Sequence, residues 1–385
     1  MNLDALERLQ LLYNVFSTSL RLALYVQDAY LVGDINEGWE NHDDELIILG
    51  QIIPHMLSLL QRVRRIKLTH LSQLRSRRDL SRKGRWTDYP EALKAAILEF
   101  CKIPSVIHIT ISHIRDFPIS ILATCSGLKK LSLSDLDFHV YDARSIELYL
   151  QGMTVPETQT HLDVLEMDQS FSKFFPLIAQ AFRHPNSIVN LCKLRALKIV
   201  GSLPNSTHLV WEDIDRFAPA LECLMWNQAT DWEGRTVISK FYAEPLNLAQ
   251  MKNMRYLILK FLADFNKYNI IPNIDWLSES LHRLRWSNQI EEITIILIYE
   301  SWNRDNTNAL LSIWTKRLDT VVCGAGFPVL RRIRIILADF ADRVRRFTVE
   351  VKPRLGLQVG ELFQIEPLRN DSADIWKQVV VRFMG

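Results

Sequence analysis

A six-residue pattern (apolar, two variable, apolar, one variable, apolar) recurs down the chain and constrains its fold more than any other feature. It reads Val63-Ile66-Leu68, Val106-Ile109-Ile111, Leu128-Leu131-Leu133, Leu162-Leu165-Met167 and Leu194-Leu197-Ile199. It continues as Leu221-Leu224-Trp226, Met254-Leu257-Leu259, Ile290-Ile293-Ile295 and Leu330-Ile333-Ile335, with a weaker copy at Val26-Ala29-Leu31. The last two apolar positions are two residues apart, so they share one face of a short strand, and the first anchors the turn into it. Successive copies start roughly 22 to 43 residues apart, the range of leucine-rich and related repeats. A unit that small cannot bury its own apolar face, so neighbours must stack.

The segments between copies read as helices. Trp86-Thr87-Asp88-Tyr89-Pro90-Glu91 has the polar residue, early proline and early acid of a helix start, and Ala92 to Phe100 carries the helix. Asn306 to Val322 places Leu310, Leu311, Trp314 and Leu318 on one side, with Gly324 as a stop. Ser170 to Phe182, Asn273 to Trp286 and Ser372 to Phe383 read similarly. Strand alternating with helix predicts an α/β fold: an irregular leucine-rich-repeat-like solenoid, with parallel strands on the concave face and helices on the convex face. The alternative is a compact α/β sheet. Ordinary leucine-rich repeats place Asn or Cys three residues past the last strand leucine. Here Leu71, Ile114, Leu136 and Leu262 stand there, so the repeats are degenerate. The expected organisation is one solenoid over 1-385, with 1-60 as helical cap and first repeat, 71-84 as a basic loop and 340-385 as a C-terminal cap.

Composition supports a folded chain. Apolar residues are 48% of the 385, with only 13 Gly and 14 Pro, so most of the length can bury a core. A net charge of +2 argues against a whole-molecule electrostatic grip on nucleic acid. Cys101, Cys125, Cys192, Cys223 and Cys323 are scattered and odd in number, as in a reducing compartment. Met1-Asn2-Leu3-Asp4 lacks a basic leader, and the longest apolar run, Leu46 to Leu60, is broken by Gln51, Pro54 and His55. The expectation is a soluble monomer of the cytoplasm or nucleus, without a membrane partner.

The residue between the last two apolar positions should point away from the helices. In order these are Lys67, Thr110, Ser132, Glu166, Lys198, Met225, Ile258, Thr294 and Arg334. The row two residues earlier is Arg65, His108, Lys130, Val164, Ala196, Cys223, Tyr256, Glu292 and Arg332. An apolar centre with a charged rim is a common interface arrangement. Lys130, Val164, Lys198, Cys223, Met225, Tyr256, Ile258, Arg332 and Arg334 are therefore the candidate partner-binding residues. The competing reading is that loops or the C-terminal segment cover the apolar ones.

Arg62 to Arg85 is strongly basic, with Arg75, Arg77, Arg78, Arg82, Lys83 and Arg85 in or beside its loop and Asp79 as its one acid. Such a run is a solvated surface, a targeting signal or a phosphate-binding patch. Apart from Trp86 no aromatic interleaves it, which weighs against single-strand binding. A second basic stretch, Arg331 to Arg354, alternates with acids and apolar residues and reads as a solvated strand face.

No chemistry-bearing motif emerges. There is no Walker loop or G-x-G-x-x-G, and Cys323-Gly324-Ala325-Gly326-Phe327-Pro328 leads into a strand rather than a phosphate-binding helix. The ten histidines show no metal spacing, and His108 and His113 fall on opposite sides of a strand. Asp43-Asp44-Glu45 fits a helix N-terminus. The reading is a non-enzyme without cofactor or metal.

Ala96 to Phe138 reads AILEFCKIPSVIHITISHIRDFPISILATCSGLKKLSLSDLDF. A helix ends at Ile103-Pro104-Ser105, a strand follows, then Asp116-Phe117-Pro118, then Cys125-x-Gly127-Leu128-Lys129-Lys130-Leu131-Ser132-Leu133. Upstream, Tyr25-Val26 leads a strand, Asp43-Asp44-Glu45 opens a helix, and Leu59-Leu60-Gln61-Arg62-Val63-Arg64-Arg65-Ile66 closes it. Over Ala5 to Leu136 this order resembles the receptor region of fungal, mushroom-type F-box proteins. The resemblance implies a substrate receptor of a cullin-RING ubiquitin ligase, in which the F-box recruits the adaptor and the repeats hold the client protein. An F-box opens with Leu-Pro, whereas the first proline here is Pro54. The stripe Leu3, Leu6, Leu9, Tyr13, Phe16 and Leu20 resembles the linker helix that follows an F-box, or a cap on the first repeat. The expected function is thus a protein-binding module whose F-box is missing from view. The alternative is a nuclear, nucleic-acid-associated protein acting through 62-85.

Overall fold

The computed structural model describes residues 3–33, 43–70, 84–134, 136, 142–167, 171–200, 214, 218–227, 248, 251–263, 270–283, 288–299, 327–339, 347–351, 364–367, 376 and 381. The chain is α/β and divides into two compact units. The first comprises Met1–Leu162 and Glu166–Leu191; the second comprises Asp163–Leu165 and Cys192–Gly385.

In the first unit, helices α1 (Leu3–Thr18) and α2 (Leu20–Ala23) precede strand β1 (Asp28–Gly33). Then come α3 (Asp43–Leu59), β2 (Arg65–His70), the short β3 (Gly84–Arg85) and α4 (Glu91–Cys101). Next are β4 (His108–Ser112), β5 (Ile114–Arg115), β6 (Lys130–Ser134), α5 (Asp142–Gln151) and β7 (Thr160–His161). Strand β8 (Val164–Met167), whose first two residues belong to the second unit, is followed by α6 (Phe171–Arg183) and β9 (Val189–Asn190). Strands β1, β2, β4 and β6 pair in parallel, in that order. Short parallel pairs β3–β5 and β7–β9 stand apart from them. Helix α1 packs on α3, α3 on α4, and α5 on α6.

The second unit holds β10 (Ala196–Val200), β11 (Cys223–Asn227), β12 (Tyr256–Ala263), α7 (Ile270–Arg283), β13 (Glu292–Tyr299) and β14 (Arg332–Asp339). Strands β10 to β14 pair in parallel in sequence order. Strands β15 (Phe347–Val351) and β16 (Gln364–Pro367) then add antiparallel.

The register follows the six-residue pattern residue for residue. Ala29, Ile66, Ile109 and Leu131 align across the first unit, as do Leu31, Leu68, Ile111 and Leu133. Leu197, Leu224, Leu257, Ile293 and Ile333 align across the second. All of these except Leu31 are buried. Each apolar column thus sheds water along the strand-to-strand direction, the arrangement a side-chain period of two requires.

The turn entering each strand is pinned the same way. The amide of Arg64 donates to the Gln27 carbonyl, Ile107 to Arg64, and Lys129 to Ile107. In the second unit Arg195 donates to Asp163, Glu222 to Arg195, Arg255 to Glu222, Glu291 to Arg255, and Arg331 to Glu291. Here the residue entering each strand alternates in charge. Arg195 Nε lies 2.5 Å from Glu222 Oε1, and an Arg255 guanidinium nitrogen lies 2.6 Å from Glu291 Oε1.

The helix forecast for Ala92–Phe100 forms as α4, with Pro90 at its N-cap and Glu91 in its first turn. Forecasts for 170–182 and 273–286 form as α6 and α7, the latter shifted about three residues earlier. The helix expected over Asn306–Val322 lies outside the described residues.

Candidate functional site

The strand face opposite the buried columns is the face on which binding was expected, and it differs between the two units. In the first unit the registered row is Asp28, Arg65, His108 and Lys130, followed by Tyr30, Lys67, Thr110 and Ser132. A third row holds Val32, Thr69, Ser112 and Ser134. The first two rows run from exposed (Arg65, Tyr30 and Lys67) to partly buried (Asp28, His108, Lys130, Thr110 and Ser132). They are charged or hydroxyl-bearing apart from the imidazole of His108.

This ladder is internally bonded. Arg65 donates from both Nε and Nη2 to the Asp28 carboxylate, which holds that carboxyl below its ordinary range. The Lys130 ammonium pairs with Glu166 at close range, both side chains being mostly buried. His108 Nε2 lies 3.2 Å from Thr110 Oγ1 and 3.5 Å from Ser132 Oγ. Burial, and then the Lys130 charge, push the His108 pKa down to about 4. The ring is therefore neutral at physiological pH, and it orders two hydroxyls rather than carrying charge. Behind it, Thr69 Oγ1 and Ser112 Oγ share a buried hydrogen bond of 2.7 Å.

In the second unit the centre of the corresponding rows is apolar and buried. Val164, Ala196, Cys223, Met225, Ile258, Ile296 and Ile336 form one buried cluster with Trp376, and Tyr256 packs against it partly exposed. Four candidate docking residues, Val164, Cys223, Met225 and Ile258, are thus core residues. The docking surface expected there is corrected: Trp376, from the C-terminal segment, sits among these residues in place of solvent. The alternative reading of the sequence, cover by that segment, describes them. Burial also pushes the Cys223 thiol pKa well up, with Glu292 and Glu222 adding to it.

Of the remaining candidates, Lys198 is half-exposed. Arg334 pairs closely with Glu292, and Arg332 lies 3.9 Å from the same carboxylate. Thr294 Oγ1 donates to Glu292 at 3.3 Å, so the polar end of this face is an ion-paired knot around one acid. Lys130 stands in the first unit's ladder. Of the basic loop, Arg75, Arg77, Arg78, Arg82 and Lys83 lie outside the described residues, and Arg85 is exposed on β3.

Two residues of the polar ladder, Asp28 and Tyr30, were not singled out from the sequence. The signal was present, because the weaker copy Val26-Ala29-Leu31 places them in the same two rows. Trp376 was visible only as part of a predicted helix, and nothing local to it reveals which face it covers.

The motif residues of Ala96–Phe138 build the joints between strands. Ser105 Oγ donates to the Val63 carbonyl at 2.9 Å and to the Gln61 carbonyl at 3.1 Å. Phe117 is buried and stacks edge-on against Trp86, with ring centroids 4.9 Å apart. Among the described residues, no group of three or more His, Cys, Asp or Glu could hold a metal. Among them, too, no helix is long and apolar enough to cross a membrane. No family model matches the chain, and no curated protein matches it.

Proposed function

We propose that the chain is a non-catalytic protein-binding module: an irregular leucine-rich-repeat-like solenoid that serves as the substrate-receptor region of an F-box-type protein in the cytoplasm or nucleus. The observation that carries this reading is the polar ladder of the first unit. Parallel sheets usually bury both faces. Here two registered rows, Asp28-Arg65-His108-Lys130 and Tyr30-Lys67-Thr110-Ser132, keep one face half-exposed and hydrogen-bonding. Strands about 4.8 Å apart make such rows a regular grid of donors and acceptors. Phosphate or backbone of a partner can bond to Lys67 and the hydroxyls, while the Tyr30 ring supplies contact area. The ion pairs Arg65–Asp28 and Lys130–Glu166 fix the neighbouring side chains, so little ordering entropy is lost when a partner docks.

The test has two arms, both at physiological salt. In the first, the full chain is mixed with the cullin-RING ligase adaptor, and co-elution supports the receptor role. In the second, proteins captured by the native chain are compared with those captured by a Tyr30→Asp, Lys67→Glu variant. A client retained by the native chain and lost by the variant supports the ladder as the binding face. Identical capture by the two chains refutes it. Retention of nucleic acid that falls steeply as salt rises would favour the phosphate-binding alternative, through Arg62, Arg64 and the residues that follow.

A further inference from the structure

Helices α1, α3 and α4 and the ends of β1 and β2 line a partly open cavity of about 300 Å3 within the first unit. Met56, Leu68, Trp86, Leu93, Ile97 and Ile114 form its interior, none more than 8% exposed. Leu12, Tyr30 and Val32 also line it and are 42%, 64% and 54% exposed, which puts its mouth beside the edge strand β1. None of the described lining residues is charged. Its interior hydroxyls are already engaged: Thr69 Oγ1 lies 2.7 Å from Ser112 Oγ, and the Tyr89 hydroxyl lies 3.4 Å from His70 Nδ1. Burial raises the Tyr89 pKa to about 12, so that hydroxyl stays protonated.

Folded interiors hold few voids larger than a water molecule. A buried water needs two to four polar partners, and among the described walls only the Thr69 and Tyr89 hydroxyls are polar side-chain groups. The volume is roughly twice that of an engineered apolar cavity that stays dry and binds benzene. A carboxylate, phosphate or ammonium against the buried walls would lose hydration and meet no counter-charge among the described lining residues. The space has buried apolar walls and is open beside β1, so a small molecule can enter it directly.

We propose that this cavity is a binding site for an uncharged, largely hydrocarbon small molecule, of bicyclic or medium-chain size, carrying at most one hydroxyl or carbonyl. The cavity shares Tyr30, Val32 and Thr69 with the edge of the polar ladder, but the proposal does not rest on the ladder's being a docking face.

The test titrates the full chain with the uncharged fluorophore 6-propionyl-2-(dimethylamino)naphthalene. The expected result is saturable, blue-shifted emission at one site per chain. Decanol should displace it at least tenfold better than decanoate. Leu12→Trp, at the mouth and outside the core, should weaken binding at least tenfold with an unchanged melting temperature. Leu22→Trp, equally exposed on α2 but away from the cavity, should leave it unchanged. Should Leu12→Trp fail to fold, Leu12→Phe takes its place. The proposal is overturned by non-saturating binding, by equal displacement with decanoate, by a Leu12 variant that binds like the native chain, or by equal loss in both tryptophan variants.

Discussion

Gly127 lies so close to Pro104 that a β-carbon on it would sit 2.2 Å from the Pro104 carbonyl oxygen. The Val106 carbonyl oxygen would be 2.7 Å away. Both are backbone atoms of the turn feeding β4, itself pinned by Ser105 bonding to the Val63 carbonyl. Neither can move without shifting a strand, so the joint between successive strands is built on the absence of a side chain.

Gly127→Ala should therefore destabilise the chain by about 3 kcal/mol, the upper end of overpacking costs, since no flexible side chain is present to yield. Urea unfolding checks it. A loss under about 0.5 kcal/mol would mean that the turn gives more readily than its geometry implies. Ser105→Ala should cost less, about 1 kcal/mol, because it removes hydrogen bonds without adding bulk.

Much of this joint could be read from sequence as pattern but not as mechanism. Cys125-x-Gly127-Leu128 is a visible motif, yet only its neighbour Pro104, over twenty residues away, explains why glycine is needed. The strand rows were legible apart from Asp28 and Tyr30 on β1, because a six-residue apolar pattern fixes both the face and the register. What covers the outer face was not. Met225 and Ile258 carry the same apolar signal whether a partner or Trp376 sits on them. That distinction is a long-range packing fact that no local period encodes.

His108 should make stability depend on pH between its two pKa values. Its folded pKa is about 4, against about 6.5 unfolded, because burial and Lys130 disfavour the charged ring. In that window the unfolded chain holds more protons, so stability rises with pH. The contribution is complete above about pH 6.5 and is lost as pH falls towards 4. Its limit is on the order of 3 kcal/mol, less after screening of a partly exposed ring. Asp28, with its lowered pKa, titrates below this window. Unfolding free energies at pH 7 and pH 5 should differ clearly in the native chain and much less in His108→Gln. Equal differences in both chains would assign the slope to other groups.

The alternating charges of the second unit should be exchangeable as a pair. Arg195 and Glu222 side chains are 38% and 20% exposed, so their contact is worth about 0.5–1 kcal/mol. Arg195→Glu alone places like charges together, and Glu222→Arg alone crowds Arg195 and Arg255. The double exchange should recover part of the loss, with coupling that shrinks as salt is raised. Additive single effects would show that the ladder is decoration on a register fixed by the apolar columns.

Trp376 should control access to Cys223. The indole is 2% exposed and packs among Val164, Ala196, Cys223, Met225 and Ile258. Trp376→Ala should cost about 3–5 kcal/mol, as for other buried tryptophans. It should also open the strand face without disturbing the columns behind it. Thiol chemistry separates that local opening from general unfolding. Cys192 is exposed, whereas Cys101, Cys125 and Cys223 are buried with thiol pKa values raised by burial. In a Cys192→Ser, Cys323→Ser background, a thiol reagent should leave the otherwise native chain unlabelled. With Trp376→Ala added it should label Cys223 while Cys101 and Cys125 stay protected, as mass mapping would show. Labelling of all three together would mean that the substitution unfolds the chain. Protection of Cys223 in a folded variant would mean that something other than Trp376 closes this face.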